Sequence, residues 1–221
     1  LRGYAVSSPY AHARLLELDV RAALAFPGVA AVVTASDIPG PNTMAPIIED
    51  EPCLLPVGGI CGYLGHVVCL VAADTLENAK KAALLIQWKW EVLPPVLSVE
   101  ESLEKKLFLF EPLHLIRGNT PETMEKVPFR EKGSLQAGGQ EHYYFEPHSA
   151  YAVPRHQGGF FIRASTQNPS DNQRFAASLL QLRASDIEVE AGCIGGGFGG
   201  KQAQANWSVA WSSLLAWKTN K

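Results

Sequence analysis

The sequence predicts an α+β protein of one or two domains. Short apolar, strand-like runs alternate with helical patterns, and turn residues separate them. The chain has 221 residues, of which 47% are hydrophobic and 19% are charged; this length suits one or two domains, and this composition excludes wholesale disorder. The net charge of −3 gives no reason to expect binding to nucleic acid or to an anionic membrane. No apolar run approaches the roughly 20 residues of a membrane-spanning helix.

The first half alternates strands and short helices. Its predicted strands are apolar or alternating runs at 15–18, 29–34, 66–73 and 87–92, after a strand-like run that opens at 1–4. Asp19 is expected to cap a short helix that ends before Pro27. A turn is predicted at 39–42, and a loop leads from it to the strand at 66. The string 74–77 resembles a capping box with Asp74 as the acceptor, and it opens a helix.

The second half begins near Gly133, and the weakly periodic residues before it are predicted to connect two units. Its predicted strands are 143–153, 160–165 and 187–194. A helix is expected after Asn168, since Asn at the cap with Pro169 at the first helical position is a favoured pairing. The last predicted helix is 203–218. Its apolar face is expected to belong to the core and comprises Trp207, Ala210, Trp211, Leu214 and Leu215.

The cysteines limit the kinds of site that the chain can hold. Cys53, Cys61, Cys69 and Cys193 form no C-x-x-C pair and no ligand quartet, which argues against a zinc ribbon or a protein-held iron–sulfur cluster. Four cysteines are also too sparse for a disulfide scaffold. We expect reduced, mostly buried thiols and a cytoplasmic location, since the first residues do not have the pattern of a signal peptide.

A glycine-rich string, Gly195-Gly196-Gly197-Phe198-Gly199-Gly200-Lys201, lies between a predicted strand and a predicted helix. It satisfies both the dinucleotide fingerprint G-x-G-x-x-G and the first part of a P-loop. A P-loop needs Ser or Thr after the lysine, where this chain has Gln202, and the acidic residue of a dinucleotide site is missing because the chain ends first. What remains is a loop whose backbone N–H groups suit an anionic or oxo-bearing cofactor, or a tightly packed turn.

Several strings together resemble the molybdenum hydroxylases, the xanthine dehydrogenase and aldehyde oxidase family. The glycine string is similar to the family's G-G-G-F-G-G-K loop, 138–146 to its G-G-Q-E-H-x-Y-x-E segment, and 165–168 to its S-T-Q-N segment. In the first half, 8–14 is similar to the family's S-P-x-A-H-A-R string, and 71–75 and 90–96 to later strands of the same domain. The resemblance covers essentially the whole chain.

The resemblance implies a domain order. Residues 1–108 are expected to form an a/b hammerhead domain, 109–130 a connecting segment, and 131–221 the N-terminal part of a molybdopterin-binding α+β domain. Because the chain lacks an initiator Met and stops just after a helix, we expect a fragment. The family's catalytic glutamate is then expected beyond this chain, which alone should be inactive.

The resemblance also implies roles for five residues. Gln167 matches the glutamine whose amide hydrogen-bonds an oxo ligand of molybdenum, a task that suits a neutral donor. Gly197, Phe198 and Gly199 match the loop whose backbone contacts the cofactor, so Gln167 and Phe198 are expected beside the metal. Gln202 stands where purine-oxidising members carry a substrate-orienting glutamate. An amide accepts a hydrogen bond from a heterocycle more weakly than a carboxylate, which lowers the expectation for xanthine and leaves other N-heterocycles and aldehydes open.

The implied activity is oxidation of an N-heterocycle or an aldehyde at carbon, with water as the oxygen source. Its cofactors are molybdenum-molybdopterin, either bare or as the cytosine dinucleotide, with [2Fe–2S] centres and FAD in partner domains or subunits. A small-molecule substrate and a higher oligomer are expected, without nucleic acid or membrane as partners. The alternative is a non-catalytic assembly or interaction module derived from the same family.

Other polar residues support weaker hypotheses. His142 and His148 lie six residues apart with Glu146 between them, but the family holds molybdenum through the pterin, so a protein-ligated metal is not favoured. Glu141 and Glu146 are five residues apart, which places them on opposite faces of a regular strand and argues against a shared acid–base site. Lys201 is expected either to meet a phosphate of the pterin or to be solvated.

Overall fold

The computed structural model describes residues 1–44 and 50–221, and its mixture of helices and strands confirms the α+β prediction. By their internal contacts these residues form two compact units. One unit comprises 1–94 together with 142–221, and the other comprises 95–141. The loop predicted between 42 and 66 includes 45–49, which lie outside the described residues.

Two antiparallel three-stranded sheets form the first half. The first contains, in spatial order, β1 (Arg2–Ser7), β5 (Val67–Ala73) and β3 (Val29–Thr34). The second contains, in spatial order, β4 (Ile60–Cys61), β2 (Ala13–Asp19) and β6 (Gln87–Val92). All seven residues of β5 are buried, as expected for a continuous apolar run at the centre of a sheet. Strand β4, which has only two residues, was not predicted from the sequence.

Two helices accompany these sheets, and both predicted caps are wrong by one residue. The first helix, α1 (Arg21–Leu24), has Val20 at its N-cap, because Asp19 still belongs to β2; the Asp19 carboxylate instead accepts the Arg21 N–H at 3.0 Å. The second helix, α2 (Leu76–Ala83), is capped by Thr75, whose hydroxyl accepts the Asn78 N–H at 3.1 Å. Asp74 accepts from the Asn78 side chain instead.

The second half contains a mixed sheet in the order β7 (Ala150–Pro154), β8 (Phe160–Ala164) and β9 (Ile187–Glu190). The strands β7 and β8 are antiparallel, whereas β8 and β9 are parallel. Two predicted strands are shorter than expected. The strand predicted from 143 begins only at Ala150. Tyr143 has a left-handed φ of 51°, and the Glu146 N–H donates to the Gly195 carbonyl instead of to a neighbouring strand. The strand predicted to reach 194 ends at Glu190, and the chain then turns into the glycine loop.

Helices α5 (Pro169–Leu179) and α6 (Ala205–Thr219) pack on this sheet. The Asn168 side chain caps α5 by accepting the Asp171 N–H, which confirms that prediction. The predicted apolar face of α6 is only partly right. Val209, Ala210 and Leu214 are buried, while Trp207, Trp211 and Leu215 are half-buried at the rim of the core.

One core joins the two halves of this unit. Val33 and Leu70 of the first sheet pack in the same cluster as Ile162 of β8 and Leu214 of α6. Gly40 approaches the C-terminal end of α5 so closely that a Cβ there would lie 2.1 Å from the Ser178 carbonyl oxygen. This core includes residues of β8 and β9, and the candidate site lies at the ends of these two strands.

The unit of residues 95–141 contains two short helices that were not predicted from the sequence. They are α3 (Val99–Lys105), capped by Ser98, and α4 (Thr120–Lys126), capped by Asn119. Both carry an ion pair one turn apart, Glu101 with Lys105 and Glu122 with Lys126. Neither helix contains a buried residue.

The four cysteines are free thiols; Cys53, Cys61 and Cys69 are buried, and Cys193 is exposed. Three of the four are therefore buried, as expected. Within 1–44 and 50–221, no helix has the length and apolar character needed to span a membrane.

Candidate functional site

Parallel pairing of β8 and β9 brings the two most informative motifs together. Gln167 follows the end of β8, and the glycine loop Gly195–Lys201 follows the end of β9. Because the carboxyl ends of parallel neighbours lie at the same edge of a sheet, both motifs meet there. A third segment, 142–148, lies against them before β7 begins.

Gln167 is bonded to the glycine loop through its side-chain oxygen. Its Oε1 accepts the N–H of Gly199 at 3.1 Å and the N–H of Lys201 at 3.2 Å. The backbone N–H of Gln167 donates to the Lys201 carbonyl at 2.9 Å. Since two donors face Oε1, the orientation of the amide is fixed, and the Nε2 donors point away from the loop. Among the described residues Nε2 has no hydrogen-bond partner, and the residue is exposed.

The glycines allow this close approach. A Cβ at Gly197 would lie 2.6 Å from Cδ and Oε1 of Gln167. Gly196 and Gly199 have φ values of 92° and 91°, which side chains rarely adopt. Phe198 between them has a φ of 50°, which is uncommon for a residue other than glycine. Glycine therefore stands at two left-handed positions of this loop and at its contact with Gln167. We call residues 195–201 the glycine arch.

The remaining predicted residues are exposed or face open space. The Phe198 side chain is 74% exposed. A Cβ at Gly199 would meet no atom within 4 Å, so the backbone there faces open space. Gln202 is exposed, and its N–H donates to the Gly199 carbonyl at 3.4 Å. The structure thus brings Gln167, Gly197, Phe198, Gly199 and Gln202 to one edge of the sheet.

Lys201 is completely buried, and the expectation of a solvated lysine is wrong. Its Nζ donates to Ser165 Oγ at 2.7 Å and lies 3.2 Å from Oε2 of Glu146. It also lies 4.7 Å from the centre of the Tyr144 ring. The ammonium group therefore points into the protein and is held there by a carboxylate, a hydroxyl and an aromatic face.

Glu146 accepts several hydrogen bonds at the site. The sequence did not single it out, because its spacing from Glu141 argued against a shared acid–base site. Its Oε2 accepts the Gly195 N–H at 2.7 Å and the Ser165 hydroxyl at 2.8 Å, in addition to Lys201. The Gly195 N–H, the Ser165 hydroxyl and the Lys201 ammonium, in that order of effect, lower the pKa of Glu146 to about 2. Sequence spacing alone carried no signal for this cluster, because the three partners of Glu146 lie 19 to 55 residues away from it.

Three aromatic rings, of His142, Tyr144 and His148, lie together in the segment that contacts the glycine loop. Tyr144 stacks with His142 and meets His148 edge-on, with ring centres 6.2 and 5.3 Å apart. Within the part of the chain that the structure describes, no three His, Cys, Asp or Glu side chains cluster as metal ligands.

A cavity of about 790 Å³ lies between β1, β7 and α6. Its walls include Trp207 and Trp211 but neither Gln167 nor the glycine arch.

Comparison with known proteins decides the family. Residues 101–221 match the model of the molybdopterin cofactor-binding domain, and residues 2–94 match that of the aldehyde oxidase and xanthine dehydrogenase a/b hammerhead domain. The chain belongs to the xanthine dehydrogenase and aldehyde oxidase family of molybdenum hydroxylases. The predicted fold, a hammerhead domain followed by the start of a molybdopterin-binding domain, is thereby confirmed.

Individual proteins of known sequence or structure are similar to this chain. A xanthine dehydrogenase/oxidase of Gallus gallus is 33% identical over 98% of this chain, and an aldehyde oxidase 2 of Cavia porcellus is 35% identical over 98%. The aldehyde oxidoreductase structure from Desulfovibrio gigas superposes with a TM-score of 0.84 at 22% identity, and covers 99% of this chain. The chain spans 16% of the length of those two relatives and 26% of that solved chain.

Proposed function

We propose that this chain supplies part of the molybdenum site of a hydroxylase that oxidises an N-heterocycle or an aldehyde at carbon, with water as the oxygen source. The observation that carries this proposal is the orientation of Gln167. Two loop N–H groups hold its Oε1, so its Nε2 donors face outward beside an arch of open backbone. A neutral amide donor at that place suits an oxo group and adds no competing anionic ligand.

The residues present fit an oxo-bearing, anionic cofactor. Gly199 offers backbone that faces open space, and Phe198 presents an exposed aromatic ring next to it. No lysine side chain from the loop adds charge to this side, because Lys201 is directed inward. The positioned donors are therefore neutral amides and backbone groups, which stabilise oxygen atoms without neutralising the charge of the cofactor.

The molybdenum cofactor would supply the redox chemistry at the substrate carbon. This chain's own residues would bind and orient it. Gln167 would donate from Nε2 to an oxygen of the cofactor, and residues 197–199 of the arch would approach the cofactor with their backbone. Gln202, exposed beside the arch, would contact the substrate. An amide accepts a hydrogen bond from a heterocycle N–H more weakly than a carboxylate does, which favours other N-heterocycles or an aldehyde over xanthine.

The remaining parts of the site are proposed to lie outside these 221 residues. They are the catalytic glutamate base, the [2Fe–2S] centres and FAD, carried by partner domains or subunits of a higher oligomer. By this proposal the chain alone is inactive, and it works in the cytoplasm, in keeping with its free thiols. The pterin is proposed to be molybdopterin, either bare or as the cytosine dinucleotide.

The proposal is tested by the metal content of the native protein that contains this chain. It should be isolated from its host and measured by elemental mass spectrometry. About one molybdenum per chain, with iron co-purifying, would support the hydroxylase. Protein that carries neither metal when purified intact from cells grown with molybdate would contradict it, and would favour the non-catalytic assembly module instead.

A further inference from the structure

An ion pair between a buried lysine and a half-buried glutamate joins the two ends of the glycine arch. Lys201 closes the arch and has no exposed side-chain surface, while Glu146 comes from the segment before β7. We call Lys201, Glu146, Ser165 and Gly195 the lysine network. Its hydrogen bonds connect all three segments of the site, since Ser165 follows β8 and Gly195 opens the arch.

Glu146 holds the beginning of the arch in two directions. Its carboxylate accepts the Gly195 N–H at 2.7 Å, and its own N–H donates to the Gly195 carbonyl at 3.2 Å. A Cβ at Gly195 would lie 2.5 Å from the Cβ of Glu146, so the two backbones are in direct contact. The first residue of the arch therefore cannot shift unless Glu146 moves with it.

Lys201 holds the end of the arch and the amide of Gln167 at once. Its side chain is held by Glu146 and Ser165, while its backbone N–H donates to Gln167 Oε1 and its carbonyl accepts the Gln167 N–H. The Thr166 hydroxyl lies 3.4 Å from the same carbonyl. A displacement of the Lys201 side chain would therefore be transmitted through its own backbone to Gln167.

A role in stability alone does not explain this arrangement well. Burying an ammonium and half-burying its carboxylate costs desolvation that their attraction often only offsets, so an apolar side chain of similar volume would serve stability as well. Hydrogen bonds add direction, because each donor must point at its acceptor. Here they join Glu146 to Gly195 at the beginning of the arch. At its end they join Lys201 to Glu146 and Ser165.

We propose that Lys201 and Glu146 are positioning residues that hold the arch and the Gln167 amide in the geometry that the molybdenum cofactor requires. This inference rests on the proposed function. In this proposal neither side chain touches the cofactor. Both act through the loop backbone, in the manner of the outer partners that orient metal ligands, whose loss typically costs about 10- to 100-fold in metal affinity or activity.

The test is Lys201→Met in the native molybdenum-loaded protein, since Met fills similar space without charge. We expect the molybdenum cofactor to dissociate about 10- to 100-fold faster than from the parent protein, and the Mo(V) electron paramagnetic resonance spectrum to shift. The matched control is Lys218→Met, because Lys218 of α6 is also ion-paired, with Asp37 at 2.7 Å, but away from the arch. It should change neither quantity.

An unchanged spectrum together with an unchanged dissociation rate in Lys201→Met would overturn the positioning role, even if that variant melted at a lower temperature. If Lys201→Met is not recovered folded, Ser165→Ala decides by the same two measurements. It removes one hydroxyl that accepts from Lys201 and donates to Glu146, and a small shift in the same direction is expected. A parent protein without molybdenum would instead overturn the proposed function, and this inference with it.

Discussion

Gln167 and Lys201 are hydrogen-bonded in both directions. The Lys201 N–H donates to Gln167 Oε1 at 3.2 Å, and the Gln167 N–H donates to the Lys201 carbonyl at 2.9 Å. This exchange links the residue after β8 to the last residue of the glycine arch after β9. It makes the direction of the Gln167 amide a property of the backbone, so that the oxygen faces the arch and the Nε2 donors face outward.

Gln167→Glu separates acceptance of the loop N–H groups by Oε1 from the proposed donation by Nε2 to the cofactor. A carboxylate still accepts the N–H groups of Gly199 and Lys201, but it no longer donates and it adds negative charge beside an anionic cofactor. We expect a nearly unchanged melting temperature with kcat/KM per molybdenum lowered about 10- to 100-fold, the effect of losing a hydrogen bond of about 1.5–3 kcal/mol. Steady-state kinetics on the native protein, normalised to molybdenum, measure this effect. Gln87→Glu, at an exposed position of β6, is the control, and equal kinetics in both variants would contradict the assignment.

Gly197→Ala tests the close approach of the arch to Gln167. The added methyl group would lie 2.6 Å from the amide of Gln167, so that either the side chain or the loop must move. Overpacking of this kind costs about 1–3 kcal/mol. We expect molybdenum per chain, measured by elemental mass spectrometry, to fall about 10-fold, which corresponds to about 1.4 kcal/mol.

Gly62→Ala is the matched control for this substitution. A Cβ at Gly62 would meet no atom within 4 Å, and Gly62 has no left-handed φ, so its variant should retain the parent molybdenum content. Full molybdenum in Gly197→Ala would show that the contact with Gln167 is not needed for cofactor binding.

The sequence predicted best what depends on neighbouring residues. The strands Val29–Thr34 and Gln87–Val92 have the predicted bounds, and the cap of α5 at Asn168 is where the Asn-Pro pair indicated it. Errors arose where two adjacent residues could both cap the same helix. Asp74 and Thr75 can both cap α2, and only the structure shows that Thr75 does.

Features that depend on distant residues were not predictable in the same way. The glycine string indicated a backbone arch, but nothing in its sequence shows that Lys201 turns inward, because its partners Ser165 and Glu146 lie 36 and 55 residues away. The strand expected to reach 194 stops early for a related reason. Its last residues leave the sheet so that Gly195 can bond Glu146, 49 residues away. The roles of Gln167, Phe198 and Gln202 came from the family resemblance and remain proposals.

Glu146→Gln should change how stability depends on pH. The pKa of Glu146 is lowered from 4.5 to about 2 in the folded protein, first by the Gly195 N–H and then by Ser165 and Lys201. A carboxyl group whose pKa is lower in the folded protein stabilises the fold fully at pH values above its pKa in the unfolded chain. This contribution is lost as the pH falls from about 4.5 towards 2. The melting temperature of the parent protein should therefore exceed that of Glu146→Gln at about pH 6 to 7, and the gap should narrow at about pH 3.

Calorimetry at several pH values measures that gap. Glu91→Gln is the control, because Glu91 pairs with Arg14 at the surface, where ion pairs contribute little. It should lower the melting temperature less than Glu146→Gln at neutral pH. A gap for Glu146→Gln that stays constant from about pH 7 to 3 would mean that its ionisation does not stabilise the fold.

Gln202→Glu should shift substrate preference towards purines. Gln202 is exposed beside the arch, and the introduced carboxylate could accept a charge-assisted hydrogen bond from a heterocycle N–H, which is about twice as strong as a neutral one. We expect the ratio of kcat/KM for xanthine to that for an aromatic aldehyde to rise about 10-fold, which corresponds to about 1.4 kcal/mol of selective stabilisation. Gln204→Glu, which places the same charge two residues further on at another exposed position, should leave the ratio unchanged. An equal rise in both variants would assign the effect to the general field of an added negative charge, and no rise in either would remove Gln202 from the substrate site.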